Sequence, residues 1–171
     1  ALARAMADTK TVKAASILNN AFDSGTTYGD GVSLVNASHP LVSGGVNSNT
    51  LGNVDLNETS LENAVIQIGK WTDERGLLIS SRPKKLIIPS DLQFTATRLL
   101  ETEGRVGTAD NDLNTIKTNG VVPEGYTINH YLTSTGNWFL TTDIPNGLKH
   151  FTRAAMTTGM DADFDTGNSR Y

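Results

Sequence analysis

Between Asn57 and Leu100 the chain switches its hydrophobic period twice, and this constrains the fold more than any other feature. Asn57 suits an N-cap, and Glu58 then sits in the first turn, where the helix dipole favours negative charge. Leu61, Ala64, Val65, Ile68 and Trp71 follow at the i, i+3, i+4, i+7 spacing of one buried helical face. Gly76 stops that run. Lys85 to Ile88, bracketed by Pro83 and Pro89, reads as a buried strand. Ser90 with Gln93 has the spacing of a capping box, and Leu92, Ala96, Leu99 and Leu100 supply one side of the next helix.

The flanking segments are read in the same way. Ala1 to Phe22 is Ala-rich and free of Gly and Pro, which predicts a helix. It begins without a capping residue, and the other end stops soon after Gly167-Asn168, so both ends are expected to be cut edges of a longer protein. Asp23 to Val54 is loop-like, with one short apolar stretch at Val32–Val35 and a turn at His39-Pro40. A loop of about 30 residues is long for a compact domain and is expected to be functional or packed against another body. Leu77 to Ile79 can form a short strand. Glu103 to Asn114 is a polar loop. Tyr126 to Leu132 and Trp138 to Thr141 alternate around Ser134-Thr135-Gly136-Asn137, which predicts a hairpin. Leu148 to Ala155 suggests a further strand. Helices and strands without a regular β-α repeat place the chain in the α+β class.

Composition narrows the function. With 171 residues the chain can bury a core without staples, and it has no cysteine, which excludes disulfides, thiolate metal sites and cysteine nucleophiles. A formal net charge of −4 makes it a poor binder of bulk nucleic acid, which needs surplus Lys and Arg at the phosphates. Only 19% of residues are charged, so the polarity comes from Thr, Asn, Ser and Gly, residues of turns and hydrogen-bonded surfaces. No apolar run is long enough to span a membrane.

Motifs for chemistry are absent. His39, His130 and His150 are too scattered for a local metal signature, and no phosphate loop, nucleophile elbow or dinucleotide fingerprint occurs. The alternating carboxylates Asp161, Asp163 and Asp165 invite a calcium reading. Thr166 stands where an EF-hand loop needs glycine, however, and one polar face of a strand has the same pattern. Arg82-Pro83-Lys84-Lys85 is the one dense basic cluster and reads as the solvated approach to the buried strand. Trp71, Trp138 and Phe139 read as core. No enzymatic activity, cofactor or metal is expected.

Taken in order, the motifs resemble the major capsid proteins of tailed bacteriophages, in particular the Mu-like head-subunit group. The stretches that carry the likeness are ILNNAF (Ile17–Phe22), DGVSLVNASHPL (Asp30–Leu41), DLNETSLENAVIQIGKWTDERGLLI (Asp55–Ile79) and PKKLIIPSDLQFTATRLL (Pro83–Leu100). GTADNDLN (Gly107–Asn114), NHYLTSTGNWFLTTDIPNGLKHFTR (Asn129–Arg153) and DFDTGNSRY (Asp163–Tyr171) complete the series. The resemblance implies a Hong Kong 97-like capsid fold, truncated so that the N-terminal arm and extended loop are missing. It implies a spine helix and adjoining loop over residues 1–56, an axial domain over 57–155, and a return segment over 156–171.

The function so implied is that of a structural subunit of an icosahedral phage head, assembling into pentameric and hexameric capsomers that enclose DNA without reading its sequence. Partners would be other copies of the chain, with scaffolding and portal proteins. The setting would be the virion, and the host cytoplasm before assembly. Candidate subunit contacts are Arg105, Asp110, Asn111 and Asp112 on the polar loop, with Asp163, Asp165 and Arg170 near the end. The rival readings are a non-viral structural or adhesive module, calcium-stabilised, and a hydrolase whose His130 or His150 meets a Ser and a carboxylate only in the fold.

Overall fold

The computed structural model describes residues 2–105, 112–145, 147–155, 157, 161–162 and 169–170. In chain order its elements are α1 (Leu2–Asn19), β1 (His39–Pro40), β2 (Val46–Asn47), α2 (Glu58–Gly69), β3 (Pro83–Ile88), a short 3-10 turn (Ser90–Leu92) and α3 (Gln93–Leu100). Then follow α4 (Thr115–Thr118), β4 (Tyr126–Ile128), β5 (Phe139–Thr142), β6 (Asp161–Ala162) and β7 (Ser169–Arg170). The mixture of helices and strands is the α+β class expected.

The centre is a three-stranded sheet in the order β4-β3-β5. β3 takes the middle because it is the most apolar strand: Leu86 and Ile88 are fully buried. β4 pairs with it in parallel (Leu86 opposite Tyr126, Ile88 opposite Ile128) and β5 antiparallel (Leu86 opposite Leu140). The expected hairpin between the Tyr126 and Trp138 segments is therefore corrected, since both flank β3 and neither pairs with the other. A parallel pair needs a long crossover, and here residues 89–125, with α3 and α4, supply it.

Successive side chains of a strand face opposite ways. One face of β3 presents Leu86 and Ile88 to a core completed by Leu56, Ala96 and Val122, with Leu92, Leu99, Leu100, Tyr126, Ile128 and Leu140 packed around it. Lys85 and Ile87 face the other way, into an open groove.

Asn57 caps α2 as its residue type predicts, its Oδ1 accepting from Ser60 N at 2.9 Å. That helix buries Ser60, Leu61, Ala64 and Ile68, but it ends at Gly69, short of Trp71 and Gly76. The capping box at Ser90 does not form. Pro89 precedes a 3-10 turn without a side-chain cap, and Ser90 Oγ lies instead 3.3 Å from His130 Nδ1. Leu77–Ile79 contributes one isolated bridge, Thr72 to Leu78, and Leu148–Ala155 has no strand among its described residues.

The long segment 23–54 is held by its own polar side chains. Asn49 accepts from Asn36 N at 2.8 Å and donates to Leu34 O at 2.8 Å, while Asn36 Oδ1 accepts from Ser38 N at 2.9 Å. His39-Pro40 is a strand paired with Val46-Asn47 and not the turn expected; the turn lies between them, where Gly44 and Gly45 have positive φ. His39 Nδ1 sits 2.5 Å from Asp30 Oδ2, which holds the Asp30 carboxyl below its ordinary range. The segment is joined to the rest by Gln67, which donates to Ser48 O and Thr50 O at 3.2 Å, and by Val35 N bonding Ala21 O at 2.8 Å.

Candidate subunit-contact surface

The polar loop between α3 and α4 is built on one buried amide. Asn114 is 5% exposed. Its Oδ1 accepts from Ile116 N at 3.1 Å and Lys117 N at 3.3 Å, capping α4. Its Nδ2 donates to Leu99 O at 2.8 Å and Thr102 O at 3.0 Å, taking carbonyls left over at the end of α3. One side chain thus closes one helix and opens the next.

Above that clip the chain rises as a narrow stem. Asn114 N bonds Glu103 O at 3.0 Å, Arg105 N bonds Asp112 O at 2.8 Å, and Gly104 bridges Leu113. Arg105 Nε reaches Glu58 Oε2 at 2.8 Å, which ties the stem to the first turn of α2. Glu58 there answers two positive fields at once, the guanidinium and the helix N-terminus. Lys117 Nζ bonds Glu101 O at 2.7 Å and lies 3.7 Å from Glu103.

Of the residues expected at subunit contacts, Arg105 and Asp112 are brought together across this stem by a backbone hydrogen bond. Asp110 and Asn111 lie outside the described residues, as do Asp163 and Asp165. Arg170 is in β7, opposite Asp161 of β6, at a separate two-stranded pair.

The sequence reading missed the apolar part of the surface. Leu113 on the stem is 70% exposed, Phe94 on α3 is 70% exposed, and Leu77, Leu78 and Ile79 all stand in solvent. Phe94 lies beside Gln93, off the Leu92–Ala96–Leu99 face, and that offset was the available signal. Trp71 and Trp138, expected as core, are half-buried and line the groove. Their indole N–H groups donate to Ser48 O and Val54 O, each at 3.0 Å.

For chemistry the described residues offer little. Ser90 and His130 form an exposed pair, and no carboxylate among the described residues bonds that histidine. No group of His, Asp and Glu able to hold a metal occurs among them, and no helix is long and apolar enough to cross a membrane. The lysines of the basic approach are partly neutralised: Lys84 and Lys85 each lie 3.1 Å from Glu124, whose carboxyl is held low, by Lys85 first and Lys84 second.

Comparison with known proteins adds one finding. The family described as phage capsid protein matches residues 1–171, the whole chain. No curated protein and no solved structure matches.

Proposed function

Because the chain belongs to the phage capsid protein family, whose role is structural and whose place is the virion, we propose that it is the repeating wall subunit of an icosahedral head. The observation that carries this is a family match that spans residues 1–171. Within the family, the seven ordered stretches support the Mu-like head-subunit group and a Hong Kong 97-like fold. On that reading residues 57–155 form the axial domain, 1–56 the spine helix with its loop, and 156–171 the returning segment.

Copies of the chain form pentameric and hexameric capsomers, which tile into a shell around DNA. A shell repeats each contact many times, so a modest contact suffices per pair. A surface rich in Thr and Asn suits this, since neutral donors and acceptors re-pair without stranding charge. The net charge of −4 suits a wall that encloses DNA without gripping it. Scaffolding and portal proteins are the further partners, and assembly takes place in the host cytoplasm.

Arg105, Asp110, Asn111 and Asp112 are the contacts proposed near the capsomer axis, with Asp163, Asp165 and Arg170 on the returning segment. The stem that holds Arg105 against Glu58 supports the first group, because a fixed base limits the entropy lost when a loop docks. Sedimentation velocity tests the reading. The intact subunit should form species far heavier than the 18.3 kDa chain as concentration rises, and a monomer at all concentrations contradicts it.

A further inference from the structure

The segment 71–79 is an arm whose turn is fixed by hydrogen bonds and whose apolar side chains are exposed. Asp73 Oδ1 accepts from Arg75 N and Leu77 N, both at 2.8 Å, Asp73 N bonds Leu77 O at 2.8 Å, and Ile79 N bonds Trp71 O at 3.0 Å. Yet Leu77 is 64% exposed, Leu78 67% and Ile79 43%. Leu77 and Ile79 on one side of the bridged arm and Leu78 on the other thus leave apolar side chains in solvent, a feature that marks interaction sites when it is clustered on one segment. Behind the arm, Ser80 holds φ at 54°, a conformation unfavourable for a residue with a side chain. Such strain persists where the surroundings fix it, often at binding segments.

The described residues also form a concave surface. The far side of β3 and β5, the end of α1 and the loop before α2 enclose an open groove of about 1430 Å³, lined by Phe22, Leu34, Ile87, Trp138 and Phe139. Phe22 packs on Phe139 there with ring centroids 5.9 Å apart, yet remains 46% exposed. Lys84 and Lys85 share the single carboxylate of Glu124 in the lining, which leaves one net positive charge at that pair, while Asp55 brings the charged residues of the whole lining to balance. The arm's turn carries Asp73 and Glu74 against Arg75, one net negative charge. Knob and groove therefore match in polarity, and the Lys84–Lys85 pair offers the arm's acidic turn an opposite charge.

We propose that the apolar arm Leu77–Ile79 of one copy seats in the Phe22–Phe139 groove of a second copy, with Glu74 directed at the Lys84–Lys85 pair. This rests on the capsid reading for its partner, a second copy of the chain. Because knob and groove are different surfaces, the contact is head-to-tail, and head-to-tail contacts repeat into rings where the rotation between copies closes.

The chain has no cysteine, so single cysteines report contacts cleanly. Leu78→Cys subunits and Leu34→Cys subunits are mixed, assembled, and treated with a short bis-maleimide. Dimers that need both variants are expected. Shells that form without such a crosslink, or with Leu78→Cys linking only to itself, overturn the arm-in-groove contact while leaving the capsid reading intact. No assembly of unmodified subunits overturns both. As a second measurement, Glu74→Lys and Lys84→Glu should each weaken assembly by about threefold per contact. Their combination should restore it, and two losses that merely multiply count against the pairing.

Discussion

The side-chain amide of Asn114 donates to the Leu99 carbonyl at 2.8 Å, so the last turn of α3 and the first of α4 are joined by one buried group. The stem residues 103–105 and 112–113 stand on that group, at the edge of the core. That is the arrangement expected where a scaffold presents a loop to a partner.

Asn114→Ala removes a cap and leaves two carbonyls without their donor. From typical values for a lost N-cap and for unsatisfied buried groups, the loss is about 2–4 kcal/mol. Asn114→Asp keeps the cap but turns an anion toward Leu99 O and Thr102 O, so it should also destabilise. Urea unfolding measures both, and an aspartate variant as stable as the parent contradicts the role given to Nδ2.

Asn57→Ala should cost about 1 kcal/mol through loss of the bond to Ser60 N, and Asn57→Asp should recover most of it. Thermal unfolding of the pair decides this; equal melting points for the Ala and Asp variants speak against the cap.

Ser80→Gly runs against the usual direction. Glycine adopts the positive φ of 54° without a side-chain clash, so the substitution should stabilise by about 0.5–1 kcal/mol despite its added freedom when unfolded. A lowered melting temperature would show that Ser80 is not strained.

The Asp30–His39 pair gives a pH dependence with a definite sign. The hydrogen bond from His39 lowers the Asp30 carboxyl below its ordinary value of 3.8. Its stabilisation is therefore fully present above that value and is lost as pH falls through the lowered one. Asp30→Asn should be less stable than the parent at pH 6 and approach it in strong acid. A stability difference that does not shrink in acid contradicts the assignment.

Much of this fold is written locally. Asn57 announces a helix by residue type, and Leu61, Ala64 and Ile68 announce its buried face by spacing. Leu86 and Ile88 mark a strand wanted at the centre. The partners of that strand are not local, because Tyr126–Ile128 and Phe139–Thr142 carry alternating patterns that fit one another as well as they fit β3. Burial decides it: the most apolar strand takes the middle, and its flanks go to the two that tolerate exposure. Ser90 shows a different limit, since its capping spacing lost to the geometry imposed by Pro89. At the candidate surface, the sequence pointed to charge at Arg105 and Asp112. The apolar arm at Leu77–Ile79 reads as a strand until its exposure is known.

The most direct test of the central claim is negative-stain electron microscopy of the intact subunit expressed with its scaffolding partners. Closed shells, or rings of five and six subunits, are the predicted result. Dispersed single subunits at high concentration, with those partners present, would contradict a capsid wall built from this chain.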